Sequence, residues 1–139
     1  MFARTLLKLG LLGVIVAVPA TTFAAGRQDA ARGFDGGEEF RTYCAVCHGS
    51  DARGDGPLAA SMTVKPADLT QIAKGAGGTF PADQVYQTID GRDPVKGHGG
   101  KDMPVWGDAF SRSQRDSSPE AVKGRIDALV RYIERLQAK

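Results

Sequence analysis

The chain contains two cysteines, three residues apart, with a histidine directly behind the second: Cys44-Ala45-Val46-Cys47-His48. C-x-x-C-H is the pattern through which a c-type haem is attached covalently to a polypeptide. On a helix, residues three apart share a face, so both sulfurs can reach the two vinyl groups of one porphyrin edge. His48 then turns its imidazole under the iron, which commonly takes a proximal histidine. Three other uses of the pair stay open on residue type alone. A thioredoxin-like C-x-x-C belongs in a cytosolic βαβ context, and no strand pattern flanks this one. Structural zinc asks for four ligands, which Cys44, Cys47, His48 and His98 would have to supply, unless a distant Asp is recruited. A Cys44–Cys47 disulfide would close a very short, strained loop.

The chain opens with the layout of a secretory signal peptide. Arg4 and Lys8 make a basic start, Leu9 to Val18 is an apolar run, and Ala20, Ala24 and Ala25 supply small residues for cleavage. The expected leader is 1–24, cut after Ala24 with Ala20 as second choice. Its apolar run is shorter than the roughly 20 residues that span a bilayer, so a mature form without a membrane span is expected. Loss of Arg4 and Lys8 leaves 16 of the 18 Lys+Arg against 16 Asp+Glu, so the basic excess of the whole chain disappears. No basic stripe of the kind that binds nucleic acid survives. Export into the periplasm also suits two cysteines that both belong to one motif, with none left for a disulfide framework.

Residues 25–33 read as a flexible mature start, and one domain is expected over 34–139. Asp35 with Glu38 three residues on has the form of a helix N-cap. The helix expected over Gly36 to Val46 places Phe40, Tyr43, Cys44 and Cys47 on one face. Gly36 costs helix stability, and is either a weak start or a place where another helix comes close. Gly49 to Gly56 is turn-rich, Leu58 to Met62 makes a short helical turn, and Pro66 opens a short helix through Ile72. Pro81 opens a third helix, with Val85, Tyr86 and Ile89 on one side and Gly91 as its stop. Arg92 to Ser118 lacks periodicity and reads as a long loop, although Met103, Val105, Trp106 and Phe110 call for burial. Ser118-Pro119-Glu120 starts a last helix, with Val122, Ile126, Leu129, Val130, Ile133 and Leu136 as an apolar core stripe.

Four features in order resemble class I cytochrome c, specifically the mono-haem versions of the bacterial periplasm. They are Gly36-x-x-x-Phe40-x-x-x-Cys44-Ala-Val-Cys47-His48-Gly49, then Gly56-Pro57, then Met103-Pro104 followed by Trp106, then a final helix with Leu129-x-x-Tyr132. C-x-x-C-H alone identifies a haem and no particular fold; the four together cover Gly33 to Lys139. The resemblance implies an all-α cytochrome c fold of about four to five helices, with long loops wrapped around one covalently attached haem c. It implies that first and last helices cross, with Gly36 and Phe40 packed against Leu129 and Tyr132. It further implies that His48 donates a hydrogen bond to a backbone carbonyl, with Pro57 the best match and Pro66 the alternative, and that Trp106 lines the haem pocket.

Three residues are candidates for the sixth iron ligand: Met62, His98 and Met103. Met62 is close in sequence to the proximal side, and His98 stands between Gly97 and Gly99 in a solvated stretch. Met103 lies in the late loop before Pro104, Val105 and Trp106, and the resemblance also selects it. His/Met ligation raises the reduction potential and leaves no open iron position. The expectation is a one-electron carrier, not an enzyme, that exchanges electrons with redox partner proteins such as a dehydrogenase, oxidase or reductase. Lys96 and Lys101 flank the loop and would steer an acidic partner. The alternatives are a haem subunit held tightly by a periplasmic dehydrogenase, and a gas-binding or peroxidase-like haem protein if Met103 is not a ligand.

Overall fold

The computed structural model describes residues 33–92 and 103–138. The expected leader, most of the flexible start, and Lys96, His98 and Lys101 lie outside the described residues. Among the described residues every regular element is helical, as the all-α expectation required. No helix among them is long and apolar enough to cross a membrane.

Asp35 caps helix α1 (Gly36–Tyr43): its Oδ1 accepts the N–H groups of Gly37 at 2.8 Å and Glu38 at 3.1 Å. Two of the four orphan donors at the helix start are thereby satisfied. The single helix expected over Gly36 to Val46 is two. The chain bends at Cys44 (φ −112°) and resumes as α2 (Ala45–His48). Cys44 joins them, donating to the Phe40 carbonyl at 2.9 Å and accepting from Cys47 at 3.1 Å and His48 at 2.9 Å.

A 3-10 turn (Ala59–Ser61) stands where a helical turn was expected. Pro66 does not open a helix. Asp68 does the capping instead, its Oδ1 taking the Thr70 N–H at 2.9 Å and hydroxyl at 2.6 Å. A 3-10 turn (Leu69–Gln71) and the short α3 (Ile72–Gly75) follow. Helix α4 (Ala82–Asp90) begins after Pro81 and stops at Gly91, whose φ of +67° suits glycine. The stretch expected as loop contains α5 (Trp106–Ser111). Trp106 and Phe110 are one turn apart, too short a repeat to register as periodicity. Helix α6 (Pro119–Arg135) starts with Ser118 Oγ accepting the Ala121 N–H at 3.2 Å.

Helices α1, α4 and α5 all pack on α6. At the α1–α6 crossing a Cβ on Gly36 would run into the Ala128 carbonyl oxygen and come within 2.9 Å of the Tyr132 Cβ. Phe40, fully buried, places its ring 5.3 Å from that of Tyr132. Leu129, Val122, Ile126, Val130 and Ile133 of α6 join Val85 and Ile89 of α4 and Phe110 of α5 in one core. Each such side chain contributes about 1.5–3 kcal/mol when fully buried.

Arg125 interrupts the apolar stripe of α6 and is 0 % exposed. Its Nε and Nη2 donate to Glu39 Oε2 at 3.0 and 2.8 Å, and its Nη1 donates to Ser113 Oγ at 3.3 Å. Arg115 takes the other Glu39 oxygen at 3.1 Å. The Arg125 guanidinium carbon lies 3.7 Å from the Phe110 ring centroid and 5.1 Å from that of Tyr43. Removing one partner of a buried pair strands the other. We expect Glu39→Gln to cost about 3–5 kcal/mol in urea unfolding. The double variant Glu39→Gln/Arg125→Met should cost less than the sum of the singles; additive losses would mean that the pair is not coupled.

Candidate cofactor-attachment site

Helix α2 is one turn long, so its carbonyls need partners from outside the helix. The following glycine-rich loop folds back and supplies them. Leu58 N–H donates to Val46 at 2.9 Å, Gly56 N–H to Cys47 at 3.0 Å, and Gly54 N–H to His48 at 2.8 Å. Gly49 ends α2 with φ +81°. A Cβ on Gly56 would press on the Ala45 and Val46 carbonyl oxygens at 2.6 Å, so only glycine lets the loop lie this close. On its other side the loop holds the next segment: Ala52 accepts the Leu69 N–H at 2.8 Å, and a Cβ on Gly54 would meet the Pro66 carbonyl oxygen.

That arrangement delivers the Ala67 carbonyl to His48, whose Nδ1 lies 3.1 Å from it. A carbonyl oxygen only accepts, so Nδ1 carries the proton and the Nε2 lone pair is left for another partner. Burial pushes the His48 pKa below its ordinary value, against the smaller opposite effect of the Ala67 hydrogen bond. Burial thus favours the neutral ring, the form that binds a metal. The partner expected at Pro57, with Pro66 as alternative, is thus Ala67. Pro57 is exposed, between the Gly56 and Leu58 N–H groups that are turned toward α2. Pro66 directs its carbonyl at Gly54.

Both cysteines are free and half-buried. The Cys44 thiol is pushed up to about 12, first by burial and then by the neighbouring charges of Glu39 and Cys47. Cys44, Met103 and Trp106 are half-buried and pack against the same core, together with Leu69, Ile72, Phe80 and Tyr86. The Trp106 ring centroid is 5.5 Å from that of Tyr43 and 5.4 Å from that of Phe110. Met62 follows the first 3-10 turn and is not among the side chains packed on this core. A shallow depression of about 560 Å³ beside α2 is lined by Arg41, Val46, Asp51, Asp55 and Pro57, among others. Neither cysteine, nor His48, nor Met103 lines it, although Ala45, Val46 and Gly49 beside them do.

No family model, curated protein or solved structure matches the chain. The side chains themselves nevertheless suit a c-type haem. Two unbridged thiols precede an imidazole whose Nε2 has no partner among the described residues, and Met103, half-buried, packs against the core. Among the described residues no three His, Cys, Asp or Glu side chains gather into a metal-binding group.

Gly54 combines φ +77° with contact against the Pro66 carbonyl. Gly54→Ala is therefore expected to lower stability by about 1–3 kcal/mol and to disturb the His48 Nδ1–H signal in NMR spectra. Gly75→Ala, where a Cβ meets nothing within 4 Å, serves as control and should leave both nearly unchanged.

Proposed function

We propose that this chain is a periplasmic mono-haem cytochrome of the class I type, which carries single electrons between redox partner proteins. The observation that carries the reading is His48. Its Nδ1 is held by the Ala67 carbonyl and its Nε2 has no partner among the described residues, directly behind two cysteines that are not bridged to each other. In this reading Cys44 and Cys47 form the thioether attachments, His48 is the proximal iron ligand and Met103 the distal one. Trp106 contributes to the apolar surroundings. Haem, when bound, supplies one-electron chemistry at its iron, while the protein sets orientation and environment.

The residues then have distinct tasks. The Ala67 carbonyl fixes the plane and tautomer of His48 and makes its ring a stronger donor, as hydrogen-bonded ligand histidines generally are. If a haem is bound, Met103 would hold its iron through a soft thioether, which would favour the reduced form and raise the potential. With His48 and Met103 both holding the iron, oxygen or peroxide would find no open position, which would suit a carrier. The apolar core against which Cys44 and Met103 pack would cover part of a bound haem, and so would raise its potential.

Acid acetone treatment of the exported protein is expected to leave the haem on the polypeptide; haem that extracts cleanly would defeat the attachment. Met103→Ala should abolish the weak far-red sulfur-to-iron band of the oxidised protein, lower its potential and admit carbon monoxide to the reduced iron. Met62→Ala and His98→Ala should do none of these. If His98→Ala opens the iron while Met103→Ala leaves it closed, the ligation is bis-histidine. Ready carbon monoxide binding by the unsubstituted protein would replace the carrier with a gas-binding or peroxidase-like protein.

A further inference from the structure

Gln137, just beyond the end of α6, has its side-chain amide fully engaged. Nε2 donates to the Leu69 carbonyl at 2.7 Å and to the Ile133 carbonyl at 2.9 Å, while Oε1 accepts the Ala73 N–H at 2.8 Å. Two acceptors on one side and one donor on the other leave a single orientation of the amide that satisfies every partner. The Ala138 N–H adds a bond to the Thr70 carbonyl at 2.9 Å. The end of the last helix thus grips the segment 69–73 from outside.

That segment holds little structure of its own. It consists of a three-residue 3-10 turn running into a four-residue helix, far below the length at which a helix stands alone. Leu69 is fixed at both ends of its backbone, its N–H by Ala52 and its carbonyl by Gln137. Ala67, the His48 partner, lies two residues earlier, with only the capping Asp68 between. We propose that Gln137 is a positioning residue for His48: by clamping Leu69 to the end of α6, it holds the Ala67 carbonyl against Nδ1 and so sets the donor strength of the imidazole. The consequence for iron rests on the haem reading above; the clamp itself does not.

The test compares the full exported chain with Gln137→Ala, Gln137→Glu and, as a control for general loss of stability, Ser118→Ala. The control removes the cap at the other end of α6, a change that typically costs about 1 kcal/mol. Two readouts are taken: the exchange rate of the His48 Nδ1 proton by NMR, and the reduction potential. Gln137→Ala is expected to speed that exchange at least tenfold and to raise the potential, because a less firmly hydrogen-bonded imidazole supports oxidised iron less well. Gln137→Glu keeps the acceptor for Ala73 but loses both donors, and should shift both readouts the same way by a smaller amount. Ser118→Ala should move neither. The proposal is overturned if Gln137→Ala matches Ser118→Ala in both readouts, or if Gln137→Glu matches the unsubstituted chain. A haemochrome spectrum of the unsubstituted protein separates the two questions. Its absence defeats the haem reading, while proton exchange at His48 still decides the clamp.

Discussion

A guanidinium sealed from water has to be neutralised where it sits, and the pairing of α1 with α6 answers that need. Taking either charge of the Glu39–Arg125 pair out of water costs several kcal/mol. The cost is offset only because Glu39 Oε2 meets two nitrogens of one guanidinium, while Ser113 and Arg115 take up remaining hydrogen-bonding capacity. Such a pair adds little net stability over apolar residues of the same volume, but it tolerates few alternative registers. Gly36 acts in the same direction, since it admits the Ala128 backbone at one height along α1 only. Cys44 follows α1 directly, and the ring of Tyr43 before it lies under Arg125 and against Trp106 and Phe110. The same lock that aligns the two helices therefore also orients the chain where it enters the Cys44-to-His48 motif.

Beyond Cys44 much of the order comes from backbone hydrogen bonds. A one-turn helix has no cooperative stability of its own. The glycine-rich loop compensates by presenting alternate N–H groups, those of Gly54, Gly56 and Leu58, to successive carbonyls of α2. This demands close approach, hence Gly56, and left-handed backbone, hence Gly49 and Gly54. Ala52 adopts positive φ (64°) without being glycine and is fully buried. Its carbonyl holds Leu69, so the strain is placed where the loop hands over to the segment that carries Ala67.

The elements legible in the sequence were those set by local chemistry. Asp35 and Ser118 cap, Gly91 stops α4, and the α6 stripe is core, because caps, stops and stripes are encoded within a few residues. Gly36 was ambiguous, since only the opposing helix reveals a close approach. Pro66 does not open a helix because Asp68, two residues on, takes the capping role at Thr70. The His48 partner is not Pro57 because the acceptor comes from a segment further along the chain, and nothing local distinguishes the Ala67 carbonyl from any other. Arg125 passed unnoticed inside an otherwise apolar face, although its place beside Val122, Ile126 and Leu129 was a readable signal that it is buried. Gln137 offered no signal, because its three partners lie at both ends of a clamp that only the fold creates.

The sequence left the two cysteines with several uses, and their surroundings bear unequally on them. Disulfide exchange and zinc binding both work through the thiolate, so both profit from a depressed pKa. Such sites place a cation or a long helix N-terminus beside the sulfur. Cys44 instead is half-buried, with the carboxylate of Glu39 as the charge that acts on it after desolvation, and both effects favour the neutral thiol. A thioether carries no charge in its working state, and so loses nothing in such a place once formed. The neighbouring imidazole points the same way: burial favours its neutral form, with the proton on Nδ1 toward Ala67. The potential of an iron bound there would be sensitive to each hydrogen bond on His48. That is why the Ala67 carbonyl, more than any charged side chain, is the feature through which this fold would tune the proposed carrier.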